Sequence, residues 1–285
     1  MLFRSASKLR YVRTLGMPEL GIMSIYSISD SCFKINFSHA DEKYKLFETA
    51  GNDFCAEITV GDFGEIGSGS FGVEYLSKDF AHFMRSKSKP SCVLFSNTDW
   101  TKSYICADGN QEISDELIIA AVYSVLCRNR TLFLHSSTVD YKGNGIVFVG
   151  PSGIGKTTQA ELWQKYTGAE IINGDKIFAK RTENGFYAFA SPWRGSSPYC
   201  INRNVPVKAI VALRQSNTNS IRALQPAELL EFLVPHVFLP FWDEKCMAEA
   251  LETLDLFLSE IPVFLLECRP DEEAVDMTKK VVLGE

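Results

Sequence analysis

With 285 residues, 46% of them hydrophobic, and a formal net charge of −6, the chain carries enough apolar material for one or two cored domains and too much for an extended disordered protein. Its basic residues are scattered rather than gathered into a stripe, which argues against nucleic acid as a partner. The eight cysteines lie far apart, with no C-x-x-C pair and no histidine at metal-ligand spacing, so they read as reduced, mostly buried thiols of a cytoplasmic protein.

The opening stretch "MLFRSASKLRYVRTLGMPELGIM" carries Arg4, Lys8, Arg10 and Arg13 but not the continuous apolar segment of a secretion signal. No later run reaches the length of a membrane span. A soluble chain without a membrane partner is expected, with the first twenty-odd residues either a loosely attached extension or a misassigned start. Up to residue 112, "CFKINF", "CAEITV", "FGVEYLS", "CVLFS" and "SYICA" are rich in β-branched and aromatic residues and separated by Gly, Asp, Asn and Ser clusters. They predict strands, and a small, mainly antiparallel β lobe over 1–112. "SDELIIAAVYSVLCRNR" predicts a helix with Ser114 as N-cap, acids in its first turn and Arg128 and Arg130 near its end. This helix opens a second domain, 113–285.

In that domain "TLFLHSSTV" and "GIVFVG" predict two strands about the turn Tyr141–Gly145, Lys156 to Tyr166 a helix, and "AEIING" the next strand. "KIFAKRTENGFYAFAS" predicts a hairpin about Glu183-Asn184-Gly185, since Asn-Gly supplies the positive φ angles of a tight turn. "VKAIVALRQ" reads as a buried strand and "SIRAL" as a shorter one. "PAELLEFL" and "DEKCMAEALETLDLFLSE" read as helices, "PVFLLECR" as the last core strand and "DEEAVDMTKKVV" as a closing helix. Strands alternating with helices predict an α/β domain with a mixed sheet.

Between the second of these strands and its helix lies Gly150-Pro151-Ser152-Gly153-Ile154-Gly155-Lys156-Thr157, followed by Thr158. This is the G-x-x-x-x-G-K-[ST] pattern of a phosphate-binding loop. Its glycines let successive backbone N–H groups curl toward phosphate, Lys156 adds charge at the β/γ-phosphates, and the Thr157 hydroxyl can reach Mg²⁺. A nucleotide with Mg²⁺ is therefore the expected ligand, and the loop alone does not separate a kinase from a GTPase, an ATPase or a motor. A second metal-side acid is needed, and Asp175 in "EIINGDKIF" suits it: it follows an apolar strand only 19 residues past Lys156.

A histidine before a hairpin that runs straight into such a loop, with an acid shortly after, resembles the HPr kinase/phosphorylase family and its relative, ATP-dependent phosphoenolpyruvate carboxykinase. "LHSSTVDYKGNGIVFVGPSGIGKTT", "SPWRG" and "VPVKAIVAL" are similar to segments of that family, and the likeness covers roughly 114–285. It implies a P-loop kinase domain preceded by a variable small lobe, with nucleotide held by residues 150–158, Mg²⁺ organised by Thr157 and Asp175, and His135 beside the transferred group. It also allows a homo-oligomer. The family carries two adjacent aspartates, the first a base that takes the acceptor's proton; here that place falls on Gly174. His135 or Asp175 is then left to take the proton late, in a reaction that depends mainly on positioning and charge.

Other residues carry two readings. A histidine inside "LFLHSS", taken alone, is more often a satisfied core residue. Arg194, in a Gly/Pro/Ser-rich loop, is either a phosphate clamp or a surface arginine, Trp193 a lid or simple packing, and Arg203 and Lys208 are weaker phosphate candidates. "FLVPHVFLPFWDE" reads as a core-filling connection in preference to a protein-binding surface, because His236 has no acid partner at a legible spacing. "RPDEEAVDMTKK" is the solvated face of a terminal helix. The expected activity is transfer of the γ-phosphoryl group to a Ser/Thr hydroxyl of a small protein or peptide. The alternatives are a carboxykinase-type lyase or phosphorylase, and a non-catalytic nucleotide sensor.

Overall fold

The computed structural model describes residues 22–37, 41–61, 81–107 and 109–285; the expected N-terminal extension and the strand at "FGVEYLS" lie outside the described residues. The chain is α/β with mixed sheets and a small β region at the N-terminal side. Packing divides it after Val125.

In the first unit β1 (Ile22–Ile28), β2 (Ser31–Phe37), β3 (Glu48–Thr49), β4 (Ala56–Val60), β5 (His82–Arg85), β6 (Val93–Ser96) and β7 (Lys102–Cys106) form one sheet in the order β3-β1-β2-β4-β7-β6-β5. Both flanks pair antiparallel, as expected, but the centre β2–β4–β7 is parallel. Period-2 alternation buries Phe33, Ile35 and Phe37 of β2 and Ala56, Ile58 and Val60 of β4 on the core side. Helix α1 (Gln111–Leu126) begins three residues before the expected cap. The Asn110 side chain, not that of Ser114, accepts the Ile113 amide at 3.0 Å, so Ser114 lies a turn inside. All but the last residue of α1 packs with the first unit instead of opening the second, because Asp115 is held by Lys43 and, at 3.1 Å, by the Tyr44 hydroxyl.

The second unit holds β8 (Thr131–Tyr141), β9 (Asn144–Val149), α2 (Lys156–Thr167), β10 (Glu170–Asn173), β11 (Lys176–Thr182), β12 (Gly185–Ala190), β13 (Asn204–Gln215), β14 (Ser220–Ala223), α3 (Leu229–Phe232), β15 (Val237–Phe238), α4 (Glu244–Glu260), β16 (Val263–Cys268) and α5 (Glu272–Leu283). β9 and β16 flank β13 in parallel and the remaining ladders are antiparallel. The β8–β9 hairpin turns on Lys142 and Gly143, both with positive φ (53° and 81°), a two-residue turn whose twist matches the strands. The β11–β12 hairpin forms where expected, although only Gly185 (φ 109°), and not Asn184, takes a positive angle. "PAELLEFL" yields just the short α3 between 3₁₀ turns, because Pro235 lacks the N–H that would extend the helix.

One apolar cluster joins the sheet to two helices: Phe148, Ile171, Val211 and Leu266 of the strands meet Trp163 of α2 and Ala274 and Val275 of α5. Burial on this scale contributes roughly 2–3 kcal/mol per large side chain, so α2 and the loop that precedes it are anchored by Trp163 and Ala160 rather than by helix propensity. α4 and α5 start on the N-caps Asp243 and Asp271. None of the eight cysteines forms a disulfide, and only Cys92, Cys127, Cys246 and Cys268 are buried. Among the described residues no helix is long and apolar enough to cross a membrane.

Candidate active site

The long strand β8 changes partners at its middle. Its first half lies beside β11 (Thr131–His135) and β15 (Phe133 and Leu134), its second half beside β9 (Ser136–Tyr141) and β10 (Thr138–Asp140). The registers bring His135 opposite Lys176 and Ser136 opposite Val149, so His135, the end of β9 and the start of β11 lie at one level. A change of strand partner at the carboxyl ends of parallel strands opens a crevice, and the Gly150–Thr157 loop leaves β9 there.

The loop has the curled form its glycines permit. Gly150, Gly153 and Gly155 have φ of 150°, 78° and 113°. A Cβ on Gly150 would come within 2.9 Å of Ile154 Cγ2, which makes this position intolerant of any other residue. Lys156 is 7% exposed and donates to the carbonyls of Gly150 (2.9 Å) and Pro151 (3.2 Å). Burial pushes its pKa below the ordinary lysine value, and the Asp175 charge opposes that shift. Thr157 Oγ1 and Ser137 Oγ both donate to the Gly174 carbonyl, at 3.2 and 2.8 Å.

Asp175 sits in the break between β10 and β11, where the buried Asn173 side chain accepts the amides of Asp175 (2.9 Å) and Lys176 (3.0 Å). His135 Nε2 lies 3.1 Å from Asp175 Oδ1, and Lys176 pairs with Oδ2. Burial alone would raise the Asp175 pKa, but these two partners outweigh it and hold the carboxyl at about 2. The group is thus ionised at neutral pH and accepts only, so the proton of this contact sits on His135 Nε2. A carboxylate and a hydroxyl, Asp175 and Thr157, supply oxygen donors of the hard type that suits Mg²⁺.

The loop "SPWRGSSPY" closes over this end. Gly195 (φ 57°) passes so near that a Cβ there would meet Asp175 Oδ2 at 2.8 Å. A Cβ on Gly174 would meet Ser197 Oγ at 1.8 Å and Ser197 Cβ at 2.6 Å. The space in which the resemblance implies a base aspartate is therefore filled by Ser197.

The family described as "ScmC: SynChlorMet cassette protein ScmC" has a model that matches residues 107–233, less than half of the chain. A comparison with curated proteins returns no match. Among solved structures, the HPr(Ser) kinase/phosphatase from Coxiella burnetii is similar over 53% of this chain and 93% of that chain, at 12% identity and a TM-score of 0.33. At that score the likeness carries no argument.

Of the residues singled out in the sequence, His135, Lys156, Thr157 and Asp175 come together. Pro151, Ser152 and Thr158 lie exposed along the loop. Arg194 Nη1 donates to the Pro198 carbonyl of its own loop at 2.9 Å. Trp193 packs edge-on against Phe133 and Phe178. Arg203 bridges Asp140 and Glu170, near the turn end of the β8–β9 hairpin, and Lys208 is exposed on β13. The residue missed is His236. β15 sets Val237 against Leu134, so His236 falls beside His135; burial, then the charges of Lys156 and His135, push its pKa down to about 4. "FLVPHVFLPFWDE" is thus only partly core-filling, with Leu233 and Val237 buried but Phe241 80% exposed. The sequence signal for His236 was weak, since its neighbours lie 80 to 101 residues away along the chain.

Proposed function

We propose that the chain is an ATP- and Mg²⁺-dependent phosphotransferase that moves the γ-phosphoryl group to a Ser or Thr hydroxyl of a small protein or peptide. The observation that carries this reading is the His135–Asp175 pair, 3.1 Å apart, set in register with the end of β9 and the start of the Gly150–Thr157 loop. A curled loop with Lys156 at its helix start suits a triphosphate. Mg²⁺ would be held by Thr157 and Asp175, where it would neutralise charge on the phosphates; a cation there competes with Lys176 for Asp175 Oδ2.

The chain's own residues divide the remaining work. Lys156 leaves the Gly150 and Pro151 carbonyls for the β/γ-phosphates. Asp175, at a pKa of about 2, is too weak a base to take the acceptor's proton early; it orients His135 instead. His135 accepts that proton late, as positioning and charge stabilisation supply most of the catalysis in a loose transition state. The segments "LHSSTVDYKGNGIVFVGPSGIGKTT", "SPWRG" and "VPVKAIVAL", which resemble HPr-kinase-like sequences, support the same class, and a cytoplasmic location and a peptide acceptor belong to this proposal.

A second reading, a nucleotide sensor without transfer, is favoured by one observation: Ser197 fills the place of the missing base. Incubation of the purified protein with Mg·ATP labelled in the γ-phosphoryl group and with serine-containing peptide acceptors separates the two. Label in the acceptor supports the phosphotransferase; nucleotide bound without label transfer, across a broad acceptor set, supports the sensor.

A further inference from the structure

We propose that Lys176 is a built-in stand-in for the divalent cation: it closes Asp175 to free metal and yields the carboxylate only when the metal arrives with the polyphosphate of a nucleotide. This rests on the nucleotide-binding reading above and deepens it, because neither the loop pattern nor the family likeness assigns Lys176 a role.

Both oxygens of Asp175 are taken. His135 Nε2 lies 3.1 Å from Oδ1 and Lys176 Nζ pairs with Oδ2, while Gly195 backs the same Oδ2 so closely that an added Cβ would stand 2.8 Å from it. The sheet fixes this arrangement. Register sets Lys176 opposite His135 across β8 and β11, where directly paired side chains share one face. The Lys176 backbone is held on both sides, its amide donating to Asn173 Oδ1 at 3.0 Å and its carbonyl accepting from Ser191 Oγ at 2.8 Å. The side chains of Lys176 and Asp175 are only 22% and 19% exposed, so solvent screens this pair less than it would a surface one.

Charge then decides which form of the metal can enter. Thr157 Oγ1 donates to Gly174 O at 3.2 Å, and Lys156 and Asp175 are the residues next to these two in the chain, so two lysines gather about one carboxylate at this end of the loop. A lone divalent cation would add to an existing positive excess. The phosphates of a nucleotide reverse the sign: they offer Lys176 anionic oxygens to turn to in place of Asp175, and they supply further oxygen ligands of the kind Mg²⁺ takes. Metal and nucleotide affinities are thereby coupled, and the coupling is reciprocal.

Titration of the full chain with Mn²⁺, a paramagnetic probe of the Mg²⁺ position, followed by electron paramagnetic resonance with and without saturating β,γ-imido-ATP, tests this. Lys176→Met is expected to bind Mn²⁺ alone about fivefold more tightly than wild type, the upper end for removal of one partly exposed ion pair, and to stay within about twofold of wild type once the analogue is bound. Lys176→Arg, which keeps the charge, is expected to stay within about twofold in both conditions. Unchanged binding of Mn²⁺ alone by folded Lys176→Met, or the same gain with the analogue as without it, overturns the inference while leaving nucleotide binding in place. Should the Met variant not fold, wild-type protein with ¹³C-methylated lysines decides: a Lys176 methyl resonance that moves with Mg²⁺ and the analogue together but not with Mg²⁺ alone supports the exchange of partners, and one that moves with Mg²⁺ alone, or with neither, overturns it. Wild-type protein that binds no analogue overturns this inference and the proposed function together.

Discussion

Asp175 carries the largest share of the charge balance at the site. Its carboxyl has an ordinary value of 3.8 and is held at about 2 in the folded protein by His135 and Lys176 against the opposing effect of burial. A carboxylate with a depressed pKa adds stability that is complete above its unfolded value and is lost as pH falls through its folded one. The window is therefore pH 4 to 2, and the contribution is about 2 kcal/mol. Asp175→Asn is expected to cost that much at pH 7 in urea unfolding and to flatten the acid loss between pH 4 and 2; an unchanged acid profile contradicts the assignment. The same substitution is expected to reduce Mg²⁺-dependent turnover more than metal-free nucleotide binding, and equal losses would make Asp175 purely structural. Lys156 is separable from the fold in a different way. Among the described residues its ammonium bonds to the Gly150 and Pro151 carbonyls, so Lys156→Ala is expected to lower transfer at least 100-fold, on the order of the loss of one preorganised charge contact. Circular dichroism checks that the variant stays folded. Full transfer by a folded variant removes the loop from the mechanism.

At the level of elements, the site depends on how two loops meet. Gly174 ends β10 against the loop that carries Ser197, and a single methyl added there would overlap the Ser197 side chain. Gly174→Ala is expected to destabilise by about 1–3 kcal/mol, the usual cost of overpacking. Ser197→Gly in the same chain should recover most of it, a coupling that a double-mutant cycle in denaturant measures; additive losses would mean the two loops do not touch. These contacts also mark where the sequence stops being legible. β8, β9, α2 and the β11–β12 hairpin could be read locally, because β-branched runs, turn residues and the glycine pattern state their own geometry. The cap of α1 was misplaced by four residues, from Asn110 to Ser114, since both side chains suit the role and only the observed bond to Ile113 decides. The partner exchange along β8, the filling of the Gly174 space by Ser197, and the approach of His236 to His135 are products of register between distant segments. No local pattern encodes them.

Every residue assigned to phosphate, metal or proton chemistry lies in the second unit, Leu126–Glu285, whose own cluster about Trp163, Phe148 and Val211 anchors α2 and, through it, the glycine loop. The boundary read from the sequence, at 112/113, differed because helix signals locate an element but not the sheet it packs on. The family model at 107–233 spans the loop, Asp175 and Ser197. The central claim is that the Gly150–Thr157 loop grips a triphosphate whose last phosphate faces Lys156 and His135. A crystal structure of the full chain grown with Mg²⁺ and β,γ-imido-ATP tests it most directly. The account predicts phosphates wrapped by the loop amides, with Lys156 Nζ moved off the Gly150 and Pro151 carbonyls onto the β- and γ-oxygens; nucleotide bound elsewhere, or Lys156 still on those carbonyls at saturating ligand, would contradict it.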